Sequence, residues 1–171
     1  MVNNNMKGAT AMNTVIDQDL LYTLSAQAAA LPRKRTHLNF HTDSHAQCHR
    51  LLIAIEPGSY VRPHCHADHE KDETLLILKG HLGLVYFDKN GTVTNTFILN
   101  PNNIIGTTIP HGQLHSVIAL TPRTVFFESK AGPYHPPQPH EIAHFAPAEN
   151  TPEADSYLQA LSQLFDSQHL A

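Results

Sequence analysis

The residues with the most evident chemistry lie in Gly58-Ser59-Tyr60-Val61-Arg62-Pro63-His64-Cys65-His66, followed by Glu70, Glu73 and Gly80. On an extended chain, side chains two apart share a face, so His64 and His66 point the same way and Cys65 points the other. Two imidazoles on one face are half of a metal site. Counting back from the turn at Gly80, Glu73, Leu75 and Ile77 share one face of the next strand, which brings the Glu73 carboxylate toward both histidines if that face is interior. Further on, Pro110-His111-Gly112-Gln113-Leu114-His115 is a tight turn opening a strand that starts with a histidine. A closed β-structure makes His115 the natural fourth ligand. Three neutral imidazoles and one carboxylate around a divalent ion leave a net charge near +1, and a six-coordinate ion keeps two open positions, which means chemistry or ligand capture. The donor set suits Fe, Mn, Ni, Co or Zn.

The elements that must hold these residues are short strands. Arg50–Glu56, Thr74–Lys79, Leu82–Phe87, Val93–Leu99, Ile104–Ile109, His115–Leu120 and Thr124–Lys130 are rich in Leu, Ile, Val, Phe and Thr and are separated by Gly, Pro, Asn and Asp turns. Closely spaced strands with no helical pattern between them predict an antiparallel sandwich or barrel over residues 35–132. A helix is predicted within residues 15–34, capped by Asp17, with Leu20, Leu21, Leu24 and Ala28 on one stripe and Pro32 ending it. A second is predicted over 151–171, started by Thr151-Pro152-Glu153, with Tyr157, Leu158, Leu161, Leu164 and Phe165 as its stripe. Residues 1–14 read as a polar, Asn-rich tail, and 133–150 as an extended, proline-rich strap.

Composition narrows the function. The chain has 171 residues, of which 41% are hydrophobic, enough for one domain with a buried core. The formal charge is -4 and no Lys/Arg-rich block occurs, which argues against nucleic acid and anionic membranes as partners. The 14 histidines are the outlier; mild acid would turn the net charge positive and strip a metal held by them. Cys48 and Cys65 are too few to staple a secreted domain and read as reduced. The stretch Leu20–Leu31 lacks a basic start and is interrupted by polar residues, and no run reaches the roughly 20 apolar residues of a membrane helix. A cytoplasmic protein without membrane insertion is the expectation.

The residues resemble the cupins, whose first motif has the form G-x5-H-x-H-x(3,4)-E-x6-G and whose second includes P-x-G-x2-H-x3-N. Gly58, His64, His66, Glu73 and Gly80 match the first, except that six residues separate His66 from Glu73. Glu70 fits the gap from histidine, Glu73 fits the spacing to Gly80, and strand register favours Glu73. Pro110, Gly112 and His115 match the second, with Ala119 where Asn is usual. A closer resemblance, over about Ile16 to Phe165, is to the WbuC-type cupin-fold metalloproteins, through the leading helix, Arg62-Pro63-His64, Phe87-Asp88, Glu128-Ser129-Lys130-Ala131-Gly132-Pro133-Tyr134 and Ala146-Pro147-Ala148-Glu149. It implies a jelly-roll barrel with one bound metal, in a surface polysaccharide or O-antigen setting, and the cupin likeness implies a homodimer.

Around the metal, Arg50, Arg62 and Lys130 are candidates for an anion- or sugar-binding rim, because guanidinium and ammonium groups recognise carboxylate and phosphate. His41 is placed at the barrel mouth and Tyr134 is a candidate proton-transfer residue. His37, His41, His45 and His49 recur every four residues, but the stretch has no apolar face and reads as loop. His111 reads as an exposed turn residue. The expected activity is metal-dependent isomerisation or epimerisation of a small oxygen-rich molecule, a sugar or nucleotide-sugar. The alternatives are an Fe(II) dioxygenase and a non-catalytic carbohydrate-binding or sensing module.

Overall fold

A computed structural model describes residues 15–166. Helix α1 (Gln18–Ala30) leads into β1 (Arg35–Asn39), β2 (Cys48–Ile55), β3 (Glu73–Lys79), β4 (Leu82–Phe87), β5 (Val93–Leu99), β6 (Gly106–Ile109), β7 (Leu114–Ala119) and β8 (Thr124–Ala131). A 3-10 turn at Pro139–Glu141 and helix α2 (Pro152–Gln163) follow. The strands form two sheets, ordered β1-β2-β8-β3-β6 and β5-β4-β7, and every strand pair within them is antiparallel. The result is a jelly-roll sandwich flanked by two helices. The expected tail over 1–14 and the last residues of the expected C-terminal helix, 167–171, lie outside the described residues.

Alternation along the strands explains the packing. Ile55, Leu75, Ile77, Leu82, Leu84, Ile109 and Phe126 point between the sheets and form the central core. Where a helix covers the outer face the intervening side chains are apolar as well, whereas uncovered outer positions such as Arg50 and Thr94 are polar and exposed. Leu21, Leu24 and Ala28 of α1 pack on Leu52, Ala54 and Val125; Ala154, Leu158, Leu161 and Phe165 pack on Val85, Phe87 and Ile118. Asp17 caps α1, its carboxylate accepting from the Leu20 N–H at 2.9 Å. Gly83 is required by the second interface, since a Cβ there would stand 2.8 Å from the Phe165 ring. Phe165 is 1% exposed, so Phe165→Ala is expected to cost about 3–5 kcal/mol of unfolding free energy, read as a lowered midpoint in urea.

Two strand readings are corrected. Residues 35–39 were expected to lie in the barrel domain without a strand of their own, yet Arg35–Asn39 pairs with β2 at the sheet edge. Its half-buried, polar composition carries little alternation to detect. The strand expected from Ile104 begins instead at Gly106. Ile104 and Ile105 are exposed, and a Cβ at residue 106 would strike the Leu75 carbonyl, so the strand starts where the chain has no side chain.

Candidate metal centre

Three segments converge at one end of the sandwich. The Pro63–His66 segment runs antiparallel to β7, with His64 N–H donating to the His115 carbonyl at 3.0 Å and His115 N–H returning the bond at 2.9 Å. On its other side the proline-rich strap closes the ladder: Cys65 N–H donates to the Glu141 carbonyl at 2.8 Å and Ala143 N–H to the Pro63 carbonyl at 3.0 Å. Glu73 opens β3 and faces inward with Leu75 and Ile77. The donor atoms of His64, His66 and Glu73 all lie within 4.8 Å of one another. His66 Nε2 stands 3.2 Å and His115 Nε2 3.3 Å from the same oxygen, Glu73 Oε2. Glu70 is exposed on the preceding loop.

Two main-chain carbonyls set the tautomers. His64 Nδ1 lies 3.0 Å from the Arg62 carbonyl and His115 Nδ1 lies 2.9 Å from the Gln113 carbonyl. A carbonyl only accepts, so both Nδ1 atoms carry hydrogen, and in the neutral rings both Nε2 atoms are bare lone pairs. This is how metal-ligating histidines are oriented from behind. In the neutral ring the bare Nε2 of buried His115 faces a carboxylate oxygen, acceptor against acceptor. Only a cation between them, a proton or a metal ion, makes that contact favourable. The donor set therefore fits a divalent transition metal.

Lys130 and Glu128 complete the inner charge cluster. In β8 they face inward with Phe126, and cross-strand register sets Lys130 opposite both His49 and Glu73. Lys130 Nζ lies 2.7 Å from Glu128 Oε1, 3.5 Å from Glu73 Oε1 and 3.4 Å from His66 Nε2. Burial alone would raise the Glu73 carboxyl, but His115, His66 and Lys130 hold it well below the usual carboxylate range. Burial beside Glu73 pushes Glu128 up to about 8. Burial works against the Lys130 ammonium, yet Glu73 and Glu128 raise its pKa. Burial and the neighbouring His115 push His64 down to about 3.

The sign of each shift fixes the pH response of the metal-free protein. His64 contributes stability present above pH 6.5 and lost toward 3; Glu73 contributes stability present above 4.5 and lost below it. Glu128 runs oppositely, its contribution complete below 4.5 and lost as pH rises through about 8. Between 4.5 and 6.5 the His64 and Glu128 slopes cancel. The chelator-treated protein is expected to melt highest across that window, and to lose about 2 kcal/mol between pH 6.5 and 8, measured by thermal scans.

Three cavities surround the cluster. An inner chamber of about 150 Å³ is walled by His64, Glu73, His115, Glu128 and Lys130. Outside lie one cavity of about 310 Å³, lined by His66, Lys71, Lys130, Tyr134 and His140, and another of about 410 Å³, lined by His41, His49, Lys130 and Tyr134. Lys130 borders all three. Of the expected rim, Lys130, Tyr134 and His41 therefore reach the cavities, with Tyr134 56% exposed. Arg50 and Arg62 are not brought to the centre. Arg50 shares the outer face of β2 with Leu52 and donates to the Phe40 carbonyl at 3.2 Å; its neighbour His49 faces inward instead. Arg62 donates to the Ala143 carbonyl at 3.0 Å and braces the strap. Glu128 was missed as a functional residue, although its spacing of two from Lys130 puts it on the same face.

The architecture is that of a cupin-type jelly roll, with a His/Glu cluster able to hold a metal ion at one end. Residues 16–99 match the profile of a family described as a domain of unknown function, DUF6016. No curated protein matches the chain. Among solved structures, it superposes on CapF, crystallised with the inhibitor 3-isopropenyl-tropolone, with a TM-score of 0.53 and 18% identity, over 64% of this chain and 31% of that one. It superposes on SPY1581, a conserved protein of unknown function from Streptococcus pyogenes, with a TM-score of 0.51 and 12% identity, over 74% and 93% of the two chains. KdgF from Halomonas sp. aligns at 15% identity with a TM-score of 0.47, over 62% and 85%. At these identities the likeness is one of fold. Among the described residues no helix is long and apolar enough to cross a membrane.

Proposed function

We propose that this chain is a metal-dependent enzyme of the WbuC-type cupins, a cytoplasmic homodimer that moves a proton on a small, oxygen-rich, anionic molecule. The substrate class is a sugar acid or nucleotide-sugar of surface polysaccharide synthesis, and the reaction an isomerisation or epimerisation. The observation that carries this reading is the placement of Lys130, which touches the candidate ligands His66 and Glu73 and at the same time lines both outer cavities. A divalent ion held by His64, His66, Glu73 and His115 would supply Lewis-acid polarisation of a carbonyl or vicinal hydroxyl pair.

The chain's own groups supply the rest. Lys71 and Lys130, with side chains only 12% and 21% exposed, give the cavity beside His66 two ammonium groups. Glu141, on the same wall, is already bonded to the N–H groups of Ala67 and Gln138. Asp68, on the same wall and 51% exposed, lies 3.9 Å from Lys71 Nζ, so a ligand carboxylate or phosphate would take Lys71 over from a solvent-exposed partner. The Lys130–Glu128 pair, with Glu128 near neutrality, is poised to give or take a proton near pH 7. Tyr134, at the border of both outer cavities, is the second proton-transfer candidate.

The test is solvent-deuterium incorporation, by NMR, into nucleotide-sugars and sugar acids incubated with metal-loaded protein. Exchange at a carbon next to a carbonyl, lost in Lys130→Met, is the expected result. Saturable binding of 3-isopropenyl-tropolone or a sugar acid without exchange under any metal would replace the enzyme with a metal-dependent binding module.

A further inference from the structure

Away from the centre, two imidazoles stand nitrogen to nitrogen on the surface. His69, on the loop between His66 and β3, places Nδ1 3.1 Å from Nε2 of His111 in the turn before β7. Their rings are nearly perpendicular, at 76°, with centroids 4.8 Å apart. Behind His111, Asp72 Oδ1 accepts from its main-chain N–H at 2.8 Å and its ring Nδ1 at 2.9 Å. A carboxylate only accepts, so His111 carries its proton on Nδ1 and offers a lone pair at Nε2. A carboxylate behind an imidazole is the outer-shell partner that fixes the tautomer and raises the basicity of a metal ligand. Two nitrogens bound to one tetrahedral ion at about 2.0–2.1 Å stand about 3.3 Å apart, so this pair has to open by only a few tenths of an ångström, the ion replacing the hydrogen that His69 Nδ1 donates to His111 Nε2 while the His69 ring takes its hydrogen on Nε2 instead. The other close pair, His41 and His49, is stacked, with its bonded ring nitrogens turned to main-chain groups of Arg50 and Ser44.

We propose that His69 Nδ1 and His111 Nε2 form a second, weaker site for a divalent transition metal, with Asp72 orienting His111 and water completing the shell. Imidazole donors select Zn, Cu(II) or Ni over Mg and Ca. The His111 and Asp72 side chains are 38% and 54% exposed, so an ion reaches the pair from solvent without rearrangement of the fold. The position gives the site a consequence. Gly112 N–H already donates to the His66 carbonyl at 2.7 Å. An ion across His69 and His111 would cross-link the loop that carries His66 to the turn that leads into His115, clamping one side of the mouth.

The test is calorimetric titration of the full chain with Zn²⁺ after its first equivalent is in place. A second, weaker equivalent is expected. His69→Ala and His111→Ala should each abolish it while keeping the first equivalent, which also reports that the variants are folded. Asp72→Asn should weaken it about 10–100-fold. In His64→Ala the weaker equivalent should persist alone, with a Cu²⁺ EPR signal carrying imidazole nitrogen coupling that disappears when His111→Ala is added. That arm separates failure of this site from failure of the central one. A weaker equivalent that survives in both His69→Ala and His111→Ala, or none in the wild-type chain up to millimolar Zn²⁺, overturns the proposal.

Discussion

Protein carrying His64→Ala or His115→Ala is expected to come through purification without added metal almost empty, where the unaltered chain retains close to one equivalent by elemental analysis. The loss in affinity should exceed the roughly 10–100-fold that removal of an outer-shell partner costs, because a donor atom itself is gone. These two positions are the sharpest choice because a main-chain carbonyl holds each ring from behind, at 3.0 Å for His64 and 2.9 Å for His115. The lone pairs are therefore pre-aimed. Glu73→Gln should behave similarly, whereas Glu70→Gln, on the exposed loop, should keep its metal. Unchanged metal content in both histidine variants would remove the site from this end of the sandwich.

Lys130→Met is expected to destabilise the metal-free protein by about 3–5 kcal/mol, the usual cost of taking one partner from a buried ion pair. Lys130 is the ammonium that offsets Glu73, itself 4% exposed, and it also bonds Glu128. Without it the Glu73 charge is left buried against a neutral Glu128. A saturating divalent ion supplies the missing positive charge, so thermal melts should show the deficit with chelator and recover most of it with metal. A deficit of equal size in both conditions would mean that Lys130 acts by packing alone.

How far the sequence made this legible depends on distance along the chain. The period-two rule is local, and it placed Glu73 with Leu75 and Ile77 and put His64 and His66 together. Turn chemistry was similarly informative, and β4 and β5 have the boundaries expected from their flanking Gly, Pro and Asn residues. What was not legible depended on packing between elements. Arg50 was read as a rim residue because its guanidinium suits an anion, yet parity within β2 turns it outward and His49 inward. The register of a strand relative to the core decides such pairs, and nothing within β2 specifies it. Glu128 stands in the sequence only as part of the segment that carries the resemblance, although its spacing of two from Lys130 gives both residues one face. The cross-strand match to Leu75, beside Lys130 opposite Glu73, shows that face to be interior.

The strap contributes no candidate ligand, yet its main chain at Glu141 and Ala143 forms one wall of the segment bearing His64 and His66. During synthesis, that wall is still inside or near the ribosome when β8 has already emerged. The barrel can therefore close with its ligand arm held on the β7 side alone, and the strap pins the other side last. A shortened protein ending at β8 would keep every candidate donor and the β7 side of the arm, and lose the wall that bonds Pro63 and Cys65.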